Sequence, residues 1–347
     1  MRFYYIEELQ LVFRFKYLSS IYILYGRFAL SIFEARDIYR PFEYPEFEEI
    51  HNKLMFSFWH PQEVSLEQDI KNFRFDITPE EREIVTRILR NFVQSEIHVG
   101  CFWSDLADSL KKPEIQNVAR YISGNETIHA NGYDLLNATL GLEEYHLLKA
   151  DKKLYARIDN LINKRARTKE QLLKHLMLYS VMGEGVALFS SFLTLFAFTK
   201  KNLFKGMGQI ISWSTLDEQL HSEVGVLLFN TIKKEFPEVW TDEFKEEMYS
   251  IASHTVVTEM DLIDRVFEGN ETDVITADAI KNYIHYKANK QLKKVGLRKI
   301  FKIDKDLLKE TEFFDIMVNG ESVNDFFSSK ETNYSKGIIT FDEKVWE

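Results

Sequence analysis

The sequence predicts an all-α protein, a bundle of long helices, on three observations. Only 14 Gly and 6 Pro occur in 347 residues, too few turn formers for many short strands. Hydrophobic residues make up 45% and charged residues 28%, the composition of a chain that buries a core. Apolar residues recur at helical spacing behind identifiable helix start signals.

Residues 1–38 are rich in Tyr, Phe and Leu and carry no clear pattern, and they read as an N-terminal extension of unknown role. Leu11 to Phe33 is apolar, but Arg14, Lys16 and Arg27 interrupt it. A membrane span needs about 20 nearly uncharged residues, so the expectation is an amphipathic helix or edge element, with no membrane role and no secretory signal. Pro41 and Pro45 punctuate the next stretch, and Phe58-Trp59-His60-Pro61 opens a short connection. Thr78-Pro79-Glu80-Glu81 is a capping box with proline at the first helical position. Val85, Leu89, Phe92, Val93, Val99 and Trp103 follow on one face of that helix. A second helix is expected over about 114–140. Thr168 with Gln171 caps a third that runs to about 199, and a fourth covers about 205–235. Thr241 and Thr276 cap two more. Residues 39–305 form the helical domain in this reading. From 306 to 347 the pattern decays into a C-terminal segment and flexible tail.

The net charge of -10 and a pI near 5.5 speak against direct nucleic-acid binding, which needs an excess of Lys and Arg. The single cysteine, Cys101, excludes a disulfide framework and fits a reducing, cytoplasmic compartment. It also excludes any redox cycle that needs two thiols in this chain.

Four Glu-x-x-His pairs occur where roughly one is expected by chance among nine histidines. At i, i+3 both side chains share one helix face, as a metal site in a bundle requires. Glu48/His51 lies beside Pro41 and Pro45, and Glu143/His146 follows Gly141, so both read as surface coincidences. Glu126/His129 and Glu218/His221 lie instead among apolar inward positions, including Val118, Ile122 and Tyr133 on one helix and Ile211 and Val224 on the other. Glu96 and Glu184 share that setting without a histidine. An ionised carboxylate on an apolar face must be paired, neutralised or bound to metal, and these faces offer almost no Lys or Arg. Four carboxylates and two neutral imidazoles balance two divalent cations, the inward set of ferritin-like dimetal proteins. Mixed oxygen and nitrogen ligation suits iron or manganese, and the lack of thiolates argues against structural zinc.

The flanking residues narrow the choice. Asn125-Glu126-Thr127-Ile128-His129 followed by Tyr133 resembles the small subunit of class I ribonucleotide reductase. So does Trp213-Ser214-Thr215-Leu216-Asp217-Glu218-Gln219-Leu220-His221. Phe58-Trp59-His60-Pro61-Gln62-Glu63-Val64, with Asp69 beyond, is similar to that family's tryptophan motif. Asn324-Asp325-Phe326-Phe327, with Tyr334-Ser335-Lys336-Gly337, resembles its C-terminal signature. The resemblance spans about residues 39–337. It implies that Glu96, Glu126 and His129 hold one metal and Glu184, Glu218 and His221 the other, with Glu126 and Glu218 bridging. It further implies two metal ions per chain, iron foremost, with manganese–iron or dimanganese as the alternatives. Tyr133 would carry a stable radical, with Phe192 and Leu188 in its apolar pocket. His129, Asp217 and Trp59 would form the hydrogen-bonded path out of the site, and Tyr334 would relay the radical to a large catalytic subunit bound through the tail. A homodimer is implied as well. Two departures are present: many members have aspartate at Glu96 and phenylalanine at Leu188.

Ribonucleotide reduction uses a cysteine radical and a thiol pair, which one cysteine cannot supply. The resemblance therefore makes this chain the radical generator and puts catalysis on the partner. The rival reading is a dimetal oxidase or monooxygenase of the same fold acting on a small apolar ligand, which would need neither Trp59, Asp217 nor the tail.

Overall fold

The computed structural model describes residues 31–152, 155–156 and 165–318. Seven principal helices follow one another: α1 Pro45–Phe56, α2 Pro79–Ser109, α3 Pro113–Leu140, α4 Lys169–Lys201, α5 Lys205–Glu235, α6 Asp242–Phe267 and α7 Ala277–Lys294. No strand occurs among the described residues. The start signals act as expected. Thr78 accepts from the Glu81 backbone N–H at 3.1 Å while Glu81 accepts from that of Thr78 at 3.0 Å, and Thr168, Thr241 and Thr276 each accept from the third residue of their helix. Proline opens α1, α2 and α3, and α3 ends at Gly141 in the left-handed conformation with φ 76°.

The start of α5 has a different origin. Asn202 and Phe204 both adopt positive φ there, and the N-terminal amides of Gly206 and Met207 donate to Asp69 at 3.1 and 2.7 Å. Asp69 is thus a cap delivered from more than a hundred residues away, satisfying amides that an α-helix leaves open. An added Cβ at Gly206 would fall 2.6 Å from the Ser65 carbonyl oxygen, so glycine is required for that approach.

α2 and α3 pair along their length, and α4 lies at the centre against α5, α6 and α7. Among the described residues α4 alone has the length and hydropathy of a membrane span. Its apolar window is wholly buried inside the bundle, so it is the core helix. It is not uniform: Met177–Ala187 is π-helical, between α-helical Lys169–Leu176 and Leu188–Ala197. Helical spacing alone predicts one regular helix here. Helices also form in two stretches for which the sequence signals marked none: α1, in the proline-punctuated region, and the short helices Lys305–Lys309 and Glu312–Val318, which bury Phe314 against the core. The apolar stretch 11–33 lies almost entirely outside the described residues, as does the tail from 319.

Candidate metal centre

The four central helices each turn a carboxylate inward at one level of the bundle. Glu96 comes from α2, Glu126 and His129 from α3, Glu184 from the π-helical part of α4, and Glu218 and His221 from α5; all six are buried. The helices approach closely: a Cβ at Gly100 would sit 3.3 Å from the Glu126 Cβ, so α2 offers glycine where that side chain passes. The ligand atoms form two groups, Glu96/Glu126/His129/Glu218 and Glu126/Glu184/Glu218/His221, each with its donor atoms within 4.8 Å of one another. Glu126 and Glu218 belong to both.

The electrostatics of this cluster are those of a cation site. No Lys or Arg pairs with any of the four acids among the described residues. Burial, then the charges of Glu126 and Glu218, pushes the Glu96 carboxyl well above the usual range. Burial does the same to Glu184, against the opposing pull of His221. Glu126 moves the other way, because His221 and His129 outweigh the effect of its burial. Burial alone would lower both histidines. The surrounding carboxylates win, Asp217, Glu126 and Glu218 at His129 and Glu126 and Glu218 at His221, and both imidazoles are raised well above their ordinary value. Among the described residues the two imidazoles are the only basic side chains paired with these acids. His129 Nδ1 lies 2.9 Å from Glu218 and His221 Nδ1 2.8 Å from Glu126. Neither contact is a directed hydrogen bond, and both oxygens of Glu96, Glu126 and Glu218 are likewise buried without one. Buried polar atoms in a native fold are almost always satisfied. An oxygen-rich donor set with two imidazoles, orphaned around two shared positions, fits two divalent transition-metal ions.

Around the ligands lies a hydrogen-bonded layer. Trp59 Nε1 donates to Asp217 Oδ2 at 2.8 Å, and His129 Nε2 lies 3.2 Å from the same oxygen. The Trp59 and His129 rings stack, 5.8 Å apart at 17°. Tyr133 is fully buried one turn beyond His129, with 6.3 Å between their ring centroids. Its hydroxyl makes no well-formed hydrogen bond, although Ser214 approaches it, and burial followed by the Glu96 charge pushes its ionisation well above the ordinary range. Phe92 stacks on Tyr133 at 4.6 Å, and Phe192 packs on Phe92 at 5.1 Å. Leu188 is buried too.

Helical phase foresees the six inward side chains but not all of their support. Trp103, two turns after Glu96 on the same face, donates its indole N–H to Glu184. Asn125 meets His221, and Gln291 of α7 donates to the Gly185 carbonyl oxygen within the π-helical segment at 3.3 Å. Phe92, counted as ordinary core, is the ring on Tyr133. Of the other Glu-x-x-His pairs, Glu48/His51 is half-buried on α1 rather than at the surface, and His146 lies in a short 3₁₀ turn; neither joins the cluster. Cys101, on the helix of Glu96, is exposed and points away from the site. Tyr334 and the C-terminal signature lie outside the described residues.

The description "ribonucleotide reductase, small chain" fits residues 36–307 of this chain. A probable ribonucleoside-diphosphate reductase small subunit of Invertebrate iridescent virus 6 is 28% identical over 345 residues, covering 88% of this chain and 96% of the viral one. The ribonucleoside-diphosphate reductase subunit beta of Chlamydia pneumoniae is 26% identical over 290 residues, 75% of this chain and 82% of its own. Among solved structures, the ribonucleotide reductase R2 subunit from Clostridium botulinum superposes with a TM-score of 0.72 at 20% identity, over 79% of this chain and 88% of that one. The dimanganese(II) NrdF of Streptococcus sanguinis does so at 0.66 and 21%, over 83% and 100%. At these identities the structures show a shared fold.

Proposed function

The chain belongs to the ribonucleotide reductase small-chain family, and on that premise we propose how its own residues generate and export a radical. It is the radical-generating subunit of ribonucleoside-diphosphate reductase, working with a large subunit that holds the substrate. The observation that carries the assignment of residues is the pair of ligand groups sharing Glu126 and Glu218. Glu96 and His129 complete one metal position, Glu184 and His221 the other. Glu96, Glu126, His129, Glu184, Glu218 and His221 would hold two metal ions, iron foremost, which when bound in reduced form would supply, with O₂, the oxidising power for one-electron removal from a nearby side chain.

The protein's part is placement and exclusion. Tyr133 is the residue oxidised: it is fully buried, one turn from a ligand histidine, against Phe92. Burial disfavours a tyrosinate anion, so its phenolic proton must leave together with the electron. Apolar walls then keep water and reductants from the neutral radical, and the one thiol of this chain faces solvent. Asp217 accepts from Trp59 and holds the proton of His129 on Nε2, leaving Nδ1 free to ligate. The stacked Trp59 and His129 rings joined through Asp217 form the exit path toward the partner. Tyr334 takes up the radical at the subunit interface, the tail from about 328 anchors the large subunit, and two copies of this chain form the working dimer.

Adding Fe(II) and air to metal-free protein tests this reading. Dimetal absorption bands with a tyrosyl signal in electron paramagnetic resonance are expected, and Tyr133→Phe should keep the bands and lose the radical. Bands without a radical in the unaltered protein would favour the oxidase reading, and a tyrosyl signal surviving in Tyr133→Phe would place the radical elsewhere. Deleting residues 338–347 should weaken binding to the large subunit while metal loading stays unchanged; unaltered binding would rule out the tail as anchor.

A further inference from the structure

The two histidines of the cluster are supported by different groups. His129 Nε2 faces the carboxylate of Asp217 at 3.2 Å, whereas His221 Nε2 faces the amide oxygen of Asn125 at 2.9 Å. In both rings Nδ1 lies among the inward carboxylates and Nε2 points outward, so with Nδ1 given to a metal the remaining ring N–H is Nε2, donating to its support. Asn125 makes a second bond: its Nδ2 donates to Asp217 Oδ2 at 3.3 Å, the oxygen that also receives the Trp59 indole N–H at 2.8 Å. These partners fix the orientation of the amide. The reverse orientation would set its NH₂ against the His221 N–H and its oxygen against the carboxylate. Asn125 is buried, and both of its polar atoms are used.

The arrangement is reciprocal between α3 and α5. The residue immediately before each shared glutamate supports the histidine of the opposite helix, Asp217 before Glu218 reaching His129 and Asn125 before Glu126 reaching His221. The chemistry is not reciprocal, because one support is an anion and the other a neutral amide. A carboxylate behind an imidazole strengthens it as a ligand more than a carbonyl does.

We propose that Asn125 is a positioning residue that aims His221 at the second metal position and joins that position to the Trp59–Asp217 path, giving the two positions unequal affinity on one hydrogen-bonded chain. Through it His221, Asn125, Asp217, His129 and Trp59 form a single network, whose second-position branch hangs on one side chain. This rests on the reading that the six residues hold two metals.

Titrating metal-free protein with Mn(II) under anaerobic conditions, followed by equilibrium dialysis and electron paramagnetic resonance, tests it. The unaltered chain should bind two Mn(II) per chain as a coupled pair. Asn125→Leu, which fills the space and removes both bonds, should hold the first ion as before and the second about 10–100-fold more weakly. Its spectrum at one ion per chain should be the six-line signal of isolated Mn(II). A purely structural defect would weaken both ions together, and equal weakening, or no weakening, overturns the proposal. Asn125→Asp keeps the acceptor for His221 but replaces the donor to Asp217 with an oxygen, so it should recover part of the ratio of second to first affinity. A ratio no better than that of the leucine variant would overturn the proposal as well. If the unaltered chain binds fewer than two ions, the dimetal reading fails instead, before Asn125 is in question.

Discussion

Among the described residues, two of the regions that bury carboxylates treat them in opposite ways. Where the chain enters the bundle, Glu114 is fully buried at the start of α3. It accepts from the Arg36 guanidinium and from the backbone N–H groups of Glu43 and Tyr44, at 2.9 and 3.1 Å, and the buried Lys112 pairs with Glu43 at 2.7 Å. Each of these four charged side chains has a protein partner. At the centre of the bundle four acids are as deeply buried, and no Lys or Arg pairs with them among the described residues. The first region uses carboxylates to tie the entering segment to α3. The second sets only two histidines beside its four acids among the described residues, so the fold carries the cost of crowding buried carboxylates together.

That difference can be tested from the ligand side first. Glu218→Gln keeps the shape of a shared ligand and removes its charge, so pair loading should collapse, by 100-fold or more in the second ion on the order expected for ligand loss. Yet metal-free stability should stay within about 1 kcal/mol of the parent or rise, since one of four crowded buried carboxylates has gone. Chelating the metal from the unaltered protein should lower its thermal midpoint, whereas the variant should show no such drop. Metal analysis and calorimetry read both, and a metal-free variant much less stable than the parent would mean that Glu218 is structurally paired after all.

The entry region should respond in the reverse sense. Glu114→Gln leaves Arg36 without its buried anion and should destabilise the fold by about 3 kcal/mol, with two metals per chain still bound. Denaturant midpoints alongside metal content check this, and a loss of metal would join the two regions that the contacts keep apart.

Lys287 is a third case and a smaller effect. Its ammonium lies over the Phe189 ring, with no carboxylate in ion-pair reach among the described residues, and burial lowers its ionisation well below the ordinary 10.5. The unfolded chain therefore binds a proton that the folded one resists, so this residue opposes folding at neutral pH and opposes it less as pH rises toward 10.5. Lys287→Met should gain roughly 1–2 kcal/mol at pH 7, and the gain should shrink on approaching pH 10. A gain that is constant with pH would point to packing rather than charge.

How far the sequence could be read follows from the range of each interaction. Helix starts were legible because a cap joins residues three apart: Thr78 to Glu81, Thr168 to Gln171, Thr276 to Ala279. The inward acids were legible because the helical repeat puts i and i+3 on one face, and an acid there without a neighbouring cation stands out. The family resemblance added the expectation that these six side chains are ligands grouped about two positions; their donor atoms form two groups that have Glu126 and Glu218 in common.

The tertiary structure decided what joins residues far apart in the chain. Asp69 caps α5 across more than a hundred residues, Trp103 finds Glu184, Asn125 finds His221, and Gln291 meets the carbonyl of Gly185. The π-helical turns of α4 belong here as well. Nothing in the spacing of Val181, Glu184 and Leu188 marks them, and their segment packs against α5, α6 and α7. Local pattern fixes which face of a helix turns inward, because that depends only on a repeat of 3.6 residues. Which atom on that face meets which partner depends on how the helices cross, and that is settled only when all of them are packed together.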